Sequence, residues 1–328
     1  MDTVRIGCLG AAHIAPAALV KPAARTPGVE VRAVAARDPT RAAAFAAKHA
    51  IPVTHQSYAD LLADPEIDAV YNPLPNGLHG VWTIRALDAG KHVLCEKPFT
   101  ANAEEAEAVA AAATRTGLVV MEAFHWRYHP LAARLLEIVG SGELGPIRRV
   151  EARVCFPLFK RSDIRWRLDL AGGALMDAGC YAVHLVRTLA GAEPAVVRAR
   201  AKERSPGVDR WTHAELAFAD GRAGAITTSM ASPPRVGAVV VGDRATMRVT
   251  NPLAPQIFHR LTVKGDFGYR RERVAGGPTY GYQLAAFLAA VRDGVPPLTP
   301  PSDSVATMRV IDAIYGAAGL PLRTPTPA

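Results

Sequence analysis

The first 123 residues alternate apolar, strand-like segments with helical segments, and this alternation restricts the fold more than any other feature of the chain. Five segments predict strands: "TVRIGCLG", "VEVRAVAAR", "IDAVYNPLP", "KHVLCEK" and "LVVMEAF". Helices are predicted between them, as in "DPTRAAAFAAKHA", where we expect Asp38 to cap the helix and Pro39 to begin it. Strands joined by short helical connections form a parallel sheet covered on both faces. We therefore predict an α/β domain whose ligand lies beyond the carboxyl ends of the strands.

The pattern changes near residue 124 and predicts a second domain. Two helical segments, "HPLAARLLEIVGSG" and "GGALMDAGCYAVHLVRTLAG", precede strand-like segments separated by turn signals such as "ADGR" and "VGDR". Two further helices follow, and we expect the tail "LPLRTPTPA" to be frayed. The predicted domains are residues 1–123 and residues 124–328, the second being an α+β domain with a large, mostly antiparallel open sheet.

Composition argues against several classes of protein. No run of about 18 apolar residues indicates a membrane span, and the start "MDTVRIGCLG", with an acid at Asp2, lacks the basic region of a signal peptide. The net charge of +8 comes from dispersed basic residues, so an anionic small ligand explains it at least as well as nucleic acid does. The cysteines are scattered without a CxxC pair, which argues against disulfides and zinc and favours a reducing cytoplasm. They are Cys8, Cys95, Cys155 and Cys180.

The segment "GCLGAAHIA" follows the first strand and opens the first helix, where a dinucleotide fingerprint would lie. Gly10, Ala12 and Ala15 occupy its three glycine positions. Only one of them is glycine, so an unspecialised turn between strand and helix remains the alternative. Within the alternating pattern we favour a nucleotide bound at the helix start, where free N–H groups attract phosphate. The predicted contacts are Gly10, Ala12, His13 and Ile14.

The end of the second strand, "AVAARDPTRA", bears on the choice between NAD and NADP. Ala36 stands where an acid would bind the ribose hydroxyls of NAD, Arg37 follows it, and Arg41 lies one helical turn later. A pair of solvated arginines is the alternative. Because Asp38 is expected to cap the helix, it does not replace the missing acid. We predict that the cofactor is NADP (NADPH) and that Arg37 and Arg41 contact it.

Polar residues interrupt two otherwise apolar segments, "KHVLCEKPFT" and "GGALMDAGCYAVHLV". Lys97 ends a predicted strand, where a solvated lysine is the alternative. Asp177, Tyr181, His184 and Thr188 share one face of a predicted helix, where a capping acid and a core tyrosine are the alternatives. Together, Lys97, Asp177 and Tyr181 supply what hydride transfer at a carbonyl requires. The tyrosine donates a proton, the ammonium group lowers the tyrosine's pKa and stabilises the oxyanion, and the carboxylate orients one of them.

The segment "MEAFHWRYHP" carries two histidines four residues apart, a spacing that can hold zinc on a helix. It has no HExxH pattern and a proline follows, so we predict no metal. We expect polar and aromatic side chains of this segment and of "DIRWR" to line a cleft between the domains, although arginines on the second loop could equally be solvated. The predicted lining is His125, Trp126, Arg127, Arg165 and Trp166, together with Tyr181.

Four segments, "GCLGAAHIA", "YNPLPNGLH", "CEKPFT" and "GGALMDAGCY", together resemble the Gfo/Idh/MocA oxidoreductases over nearly the whole chain. The chain is most similar to the branch of dimeric dihydrodiol dehydrogenase and NADP-dependent xylose dehydrogenase. The resemblance implies an N-terminal Rossmann domain and hydride exchange between a nicotinamide and a sugar-like alcohol or ketone. It implies a homodimer or homotetramer formed through the C-terminal sheet, and a catalytic group of Lys97, Asp177 and Tyr181 with the tyrosine as acid/base. The implied contacts near the nicotinamide are Asn72, Pro73, Leu74, Asn76, His79, Glu96 and Lys97.

The chain departs from this pattern in three places. Ala12 replaces the middle glycine of the fingerprint, and His125 stands where the dihydrodiol branch carries an aromatic residue. His184 receives no role, and a cis Lys97–Pro98 bond remains open. We expect a cytoplasmic NADP-dependent oxidoreductase that acts on a small polar molecule. Reduction of a C=N bond in a biosynthetic intermediate remains an alternative, as does a cofactor-binding regulator without turnover, which the complete catalytic group disfavours.

Overall fold

A computed structural model describes residues 3–327, so the expectations that involve Met1, Asp2 and Ala328 lie outside the described residues. The chain forms two compact units, each assembled from separate stretches of sequence. The predicted boundary at residues 123 and 124 stays a prediction. Unit 1 contains Met1–His125, Tyr280–Val305 and Pro325–Ala328, and unit 2 contains Trp126–Thr279 and Ala306–Thr324.

Unit 1 contains a six-stranded parallel sheet. Its strands are β1 (Val4–Leu9), β2 (Val29–Ala35), β3 (Val53–His55), β4 (Ala69–Asn72), β5 (His92–Cys95) and β6 (Val120–Glu122). They lie in the order β3-β2-β1-β4-β5-β6, which is the strand order of a doubly wound dinucleotide-binding fold. This order confirms the predicted fold of the first part of the chain. The sequence pattern did not predict β3, because its three residues are too few to show a period.

Five helices lie within the first 125 residues of unit 1, and three of them begin at a capping residue. They are α1 (Lys21–Ala23), α2 (Pro39–His49), α3 (Tyr58–Ala63), α4 (His79–Asp88) and α5 (Ala103–Thr116). Asp38 caps α2, Ser57 caps α3 and Asn102 caps α5, each accepting a backbone N–H of its helix. The prediction that Asp38 caps α2 and that Pro39 begins it is therefore confirmed.

The first predicted helix differs from the expected single α-helix. A π-helical turn, Pro16–Val20, precedes the short α1. Proline cannot donate a backbone hydrogen bond, and Pro16 and Pro22 both lie in this stretch. The regular helical ladder is therefore interrupted.

Unit 2 contains an eight-stranded sheet in the order β14-β13-β12-β11-β7-β10-β9-β8. Only β7 and β10 pair in parallel, so the predicted mostly antiparallel sheet is confirmed. The pattern did not predict β7 or β14, and the arginines of "IRRVEARV" masked β7, whose alternate residues Val150, Ala152 and Val154 are buried. The strands are β7 (Ile147–Pro157), β8 (Pro194–Ser205), β9 (Val208–Phe218), β10 (Ala223–Ser229), β11 (Ala231–Gly242), β12 (Ala245–Thr250), β13 (Arg260–Gly265) and β14 (Gly268–Glu272).

Helix α7 (Cys180–Ala190) packs on this sheet, against β7 and β10, and α6 (Pro130–Gly140) contacts α7. A π-helical turn, Leu175–Gly179, leads into α7. The remaining helices are α8 (Thr279–Asp293), which lies almost wholly in unit 1, and α9 (Pro301–Ala317), which begins in unit 1 and continues in unit 2 from Ala306. Among residues 3–327, no helix combines the length and the apolar character needed to cross a bilayer.

The tail after α9 is not frayed at Arg323, so this expectation is wrong there. The side chain of Arg323 is 0% exposed within unit 2. Three residues later, the Thr326 N–H donates to the Gly77 carbonyl within unit 1 at 2.7 Å. The proline-rich composition suggested disorder because it gives no period, but a single buried arginine anchors this segment.

Candidate active site

The turn after β1 is the first part of the predicted cofactor site. Gly10 has φ +104°, a conformation that favours glycine, and its N–H donates to the Ala35 carbonyl at 2.7 Å. A Cβ at Gly10 would lie 3.3 Å from Leu74 Cδ2, so this turn packs tightly against the loop after β4. His13 and Ile14 are exposed where the first helical turn begins. The helix start is therefore accessible to a phosphate group.

Two arginines and a tyrosine lie together beside this turn. Arg41 donates from Nη2 to the Ala11 carbonyl at 3.3 Å. Burial raises the pKa of Tyr58, and a backbone hydrogen bond with Arg37 and the charges of Arg37 and Arg41 oppose that shift. The Asp38 carboxylate is engaged as the cap of α2. The end of β2 therefore presents positive charge, with its one nearby acid committed to the backbone.

The loop after β4 is fixed by two buried polar side chains. Asn72 Nδ2 donates to the His79 carbonyl at 3.0 Å. The His79 ring nitrogens lie 2.6 Å from the Pro98 carbonyl oxygen and 2.7 Å from that of Leu74. Burial, and to a smaller extent the Lys97 ammonium group, lowers the pKa of His79 to about 4, and the hydrogen bonds with the two carbonyl groups oppose that shift. His79 thus joins this loop to the turn after β5. The predicted cofactor contacts Pro73, Leu74 and Asn76 belong to the same loop.

Strand β5 ends at Cys95 and leads directly into Glu96 and Lys97. Tyr71 of β4 is fully buried and donates to Glu96 Oε1 at 2.7 Å. The other carboxylate oxygen accepts the Lys97 backbone N–H at 3.3 Å. The Lys97–Pro98 peptide bond is cis. The Glu96 carboxylate is therefore held by one strand while it holds the backbone of Lys97.

The charge of Lys97 acts on two aromatic side chains of unit 1, His125 and Tyr280. His125 and Tyr280 contact each other with ring centroids 4.3 Å apart. Burial and the nearby Lys97 charge lower the pKa of His125 to about 3. Burial and the Glu96 charge raise the pKa of Tyr280, and Lys97 opposes that shift. At neutral pH the ammonium group therefore has two uncharged, polar rings as neighbours, an environment in which it stabilises a developing negative charge strongly.

In unit 2, Asp177 and Tyr181 lie at the start of one helical segment. Asp177 belongs to the π-helical turn and Tyr181 to the first turn of α7, so their spacing is not that of the regular α-helix predicted. Both side chains are half-buried. Arg165 donates from Nε to Asp163 at 2.9 Å, and its Nη1 lies 3.6 Å from Asp177 Oδ2. Unit 2 therefore brings Arg165, predicted as a substrate contact, to the predicted catalytic carboxylate.

Two tryptophans predicted to line a cleft are packed within unit 2. Trp126 is 1% exposed and lies edge-on to His184, with ring centroids 5.4 Å apart. Trp166 is also buried, in a small apolar cluster, and the Arg204 guanidinium lies 4.5 Å from its ring centroid. These contacts give both tryptophans, and His184, a packing role. Contact of Trp126 and Trp166 with substrate stays a prediction.

Three tyrosines of unit 1 near the candidate site were not predicted from the sequence. Tyr71 lies inside the quoted segment "YNPLPNGLH", where its strand position made it look like an ordinary core residue. Tyr58 follows the cap of a short helix, and Tyr280 is far from Lys97 in sequence. Only the fold brings Tyr58 to Arg37 and Tyr280 to Lys97. No sequence signal in a single chain could have found the latter two.

Comparison with known proteins identifies the family. Residues 4–124 match an oxidoreductase family with an NAD-binding Rossmann fold, and residues 132–248 match the GFO/IDH/MocA C-terminal domain. The chain belongs to the GFO/IDH/MocA oxidoreductase family. The predicted family and fold class are therefore confirmed, and so is the prediction of an NAD(P)-dependent oxidoreductase acting on CH–OH or C=O groups.

Three relatives are similar over nearly their whole length. D-xylose 1-dehydrogenase (NADP(+)) 2 of Haloferax volcanii is 39% identical over 95% of this chain and 96% of its own. A dTDP-3,4-didehydro-2,6-dideoxy-alpha-D-glucose 3-reductase of Streptomyces violaceoruber is 32% identical, over 97% of this chain and 96% of its own. The crystal structure of a 3-ketoreductase from Actinomadura kijaniata, in complex with NADP and TDP-benzene, superimposes with a TM-score of 0.91 at 29% identity. It covers 96% of this chain and 98% of its own.

Proposed function

We propose that this protein transfers a hydride between NADP(H) and the alcohol or carbonyl carbon of a sugar or sugar derivative. The relatives above support the class of substrate, since one is named a xylose dehydrogenase and two are ketoreductases, one of them named for a nucleotide-linked sugar. The observation that carries the proposal is the setting of Lys97. Its ammonium group follows the end of a parallel strand and has uncharged His125 and Tyr280 as neighbours.

The residues around β1 and β2 fit NADP. The accessible helix start beyond Gly10 suits the pyrophosphate. Arg37 and Arg41 suit the 2′-phosphate, because Asp38, the one nearby acid that could bind ribose hydroxyls instead, caps α2. The loop from Asn72 to His79 and Glu96 are proposed to border the nicotinamide. When bound, the nicotinamide ring supplies the hydride acceptor or donor.

We further propose that Lys97, Asp177 and Tyr181 act on the reacting oxygen. Lys97 Nζ donates a hydrogen bond to that oxygen and stabilises the negative charge that develops there. The Tyr181 phenol gives the oxygen a proton in reduction and accepts one in oxidation. Asp177 orients these groups, and Arg165 balances its charge. The hydrogen bond from Tyr71 holds Glu96 and, through it, the backbone of Lys97.

A neutral polyhydroxy compound suits this environment. His125 and Tyr280 are uncharged at pH 7, and each carries a polar group that can pair with a hydroxyl. An anionic group close to Lys97 would instead bind the ammonium ion and compete with the reacting oxygen. We therefore propose that any charged part of the substrate lies away from the carbon that reacts.

A homodimer or homotetramer is also part of the proposal. The strands of the unit 2 sheet alternate buried and partly exposed residues, as β9 does, so one face of the sheet is open to a partner within this unit. Size-exclusion chromatography with light scattering tests this. A monomeric mass at micromolar concentration would refute it.

The first experiment is a binding titration followed by a turnover screen. NADPH and NADH are titrated by tryptophan fluorescence, and absorbance at 340 nm then follows reaction with aldoses, keto-sugars, a dTDP-linked 3-keto-sugar and cyclic imines. We expect NADPH to bind more tightly and turnover to occur with a sugar-like substrate. Turnover on imines alone would replace the proposed substrate class, and NADPH binding without any turnover would favour a regulator.

Two substitutions test the catalytic group. Lys97→Met and Tyr181→Phe should each lower kcat by ~10²-fold or more, because each removes a group that acts on the reacting oxygen. Lys48→Met and Tyr269→Phe are matched controls at exposed positions of the two units and should retain wild-type turnover. Near-wild-type kcat in both Lys97→Met and Tyr181→Phe would exclude the proposed mechanism.

A further inference from the structure

A fully buried ion pair lies at the start of the segment that carries Asp177 and Tyr181. Arg323 and Asp209 are both 0% exposed, and Nη2 of the arginine lies 3.1 Å from Asp209 Oδ1. The same Oδ1 accepts the Tyr315 hydroxyl at 2.9 Å. Oδ2 accepts the Leu175 N–H and the Thr212 hydroxyl, each at 2.8 Å. The carboxylate of Asp209 thus receives four hydrogen bonds, one of them from the first residue of the π-helical turn.

Arg323 contacts the same turn from its other edge. Its Nε donates to the Gly172 carbonyl at 2.7 Å, and its Nη1 donates to the Pro321 carbonyl at 2.9 Å. The guanidinium carbon lies 4.0 Å from the centroid of the Tyr315 ring. One ion pair therefore holds the C=O of Gly172 and the N–H of Leu175, on either side of the bend that begins the helical segment.

The sequence of the bend is adapted to this pair. Gly173 has φ +133°, and a Cβ there would lie 2.2 Å from Asp209 Oδ1 and 2.8 Å from Arg323 Nη2. A Cβ at Gly172 would lie 2.6 Å from the carbonyl oxygens of Arg165 and Arg167. The first two glycines of "GGALMDAGCY" are thus required by contacts with protein groups. The Gly173 carbonyl in turn accepts the Asp177 N–H at 3.0 Å.

We propose that Asp209 and Arg323 are positioning residues for the reaction, holding the bend at Gly172 and Gly173 so that Asp177 and Tyr181 keep a fixed direction. The inference rests on the proposed catalytic role of those two residues. A buried ion pair is weak evidence of stability in itself, because desolvation offsets the attraction. Here the hydrogen bonds from the ion pair to the bend fix the backbone at the start of the segment that carries Asp177 and Tyr181. A catalytic group needs to be held within about 0.5 Å, and a buried network with all its members bonded gives that rigidity.

The test uses Asp209→Asn and Arg323→Lys in the full-length protein with NADPH. Asp209→Asn keeps the shape but loses the charge, and Arg323→Lys keeps the charge but loses the planar set of donors. We expect kcat to fall by ~10²-fold, because a displacement of about 1 Å at the reacting group costs that much. The dissociation constant of NADPH should not change, because the proposed cofactor contacts all belong to unit 1. The pH profile of kcat should also shift, because the surroundings of Tyr181 change.

Two controls separate positioning from general stability. Leu322→Ala alters an exposed neighbour in the same tail and should have no effect on kcat. Arg187→Gln breaks a buried arginine's pair with Glu193 at the far end of α7, so it lowers the stability of unit 2 without touching the bend. Arg187→Gln should lower Tm while leaving the pH profile unchanged. Hydrogen exchange should accelerate over residues 172–181 in the Asp209 and Arg323 variants and not in Arg187→Gln.

Chemical rescue provides a second, independent measurement. Arg323→Ala should regain part of its kcat when guanidinium chloride is added at millimolar concentration, and sodium chloride of equal strength should have no effect. Wild-type kcat in folded Asp209→Asn and Arg323→Lys would overturn the inference. So would equal losses of kcat in these variants and in Arg187→Gln at matched loss of Tm. If these variants do not fold, hydrogen exchange of the wild-type protein is measured with and without added salt. The inference is also overturned if salt accelerates exchange over residues 172–181 while kcat stays unchanged. A failure of the proposed function gives a different result, because the Lys97→Met and Tyr181→Phe variants would then have wild-type kcat. The inference would fail together with the proposed function in that case.

Discussion

Replacing both Arg37 and Arg41 by alanine is expected to remove the preference for NADPH over NADH. Both charges act on the half-buried Tyr58 phenol. Arg41 is held at one edge by the Ala11 carbonyl. Asp38 cannot take over the binding of ribose hydroxyls while it caps α2. Discrimination by the proposed site therefore depends on these two side chains.

The size of the effect follows from hydrogen bonds to a charged phosphate. Such bonds contribute about 1.5–3 kcal/mol each when they are partly desolvated. Both arginines are exposed, so solvent and salt screening favour the low end, about 1.5 kcal/mol for each. Each single substitution should then weaken NADPH binding by ~10-fold, and the double substitution by ~10²-fold. The NADH dissociation constant should change little, because NADH has no 2′-phosphate.

The measurement is a fluorescence titration of both cofactors at two salt concentrations. Arg25→Ala is the matched control, since it removes an exposed arginine of the same unit that lies near no predicted contact. The salt dependence of NADPH binding should also become weaker in the double variant, because fewer charged contacts remain to be screened. If the double variant kept the wild-type ratio of the two dissociation constants, the assignment of Arg37 and Arg41 to the phosphate would be refuted.

Two further substitutions test the interior of unit 1. Burial raises the pKa of Glu105 from 4.5 to about 6, so between these pH values the folded state holds a proton that the unfolded state releases. The free energy of unfolding should therefore fall by about 2 kcal/mol as pH rises from 4.5 to above 6. Urea unfolding of Glu105→Gln should not show this dependence on pH. An unchanged pH dependence in Glu105→Gln would contradict this cause. Tyr71→Phe removes the donor to a buried carboxylate and should lower the free energy of unfolding by about 1–3 kcal/mol, with a lower kcat because Glu96 then no longer holds Lys97 firmly. A urea midpoint and kcat equal to those of the wild type would show that this hydrogen bond does not matter.

Long segments with a clear period were predictable from the sequence, and short or charged segments were not. The strands of unit 1 are bounded by glycine, proline and capping residues, and Asp38 with Pro39 predicts the start of α2 correctly. Strand β7 was missed because its exposed face carries arginines, which hide the alternation at Val150, Ala152 and Val154. The π-helical turns were also unpredictable, because a helical period of 3.6 residues does not reveal an added residue.

Within the candidate site, the contiguous motifs were predictable and the contacts between distant segments were not. Lys97, Asp177 and Tyr181 stand out because a charged or polar side chain interrupts an apolar pattern. Arg323 and Tyr280 do not stand out, because each lies in a segment whose local pattern is ordinary. Their roles arise from contacts with residues far away in sequence, Asp209 in one case and His125 in the other.

The two motifs of the proposed site differ in what fixes them. In "CEKPFT", the Glu96 carboxylate accepts hydrogen bonds from the Tyr71 hydroxyl and from the Lys97 backbone N–H. The motif therefore holds its own lysine, with one partner from the neighbouring strand. In "GGALMDAGCY", the first two glycines lie against protein groups. They leave space for Asp209, Arg323 and the backbone of the preceding loop. A substitution outside both motifs, at Asp209 or Arg323, should therefore disturb Tyr181 more than a substitution at the half-buried Thr188 of the same helix. The proposed chemistry would then depend on two residues that neither motif contains.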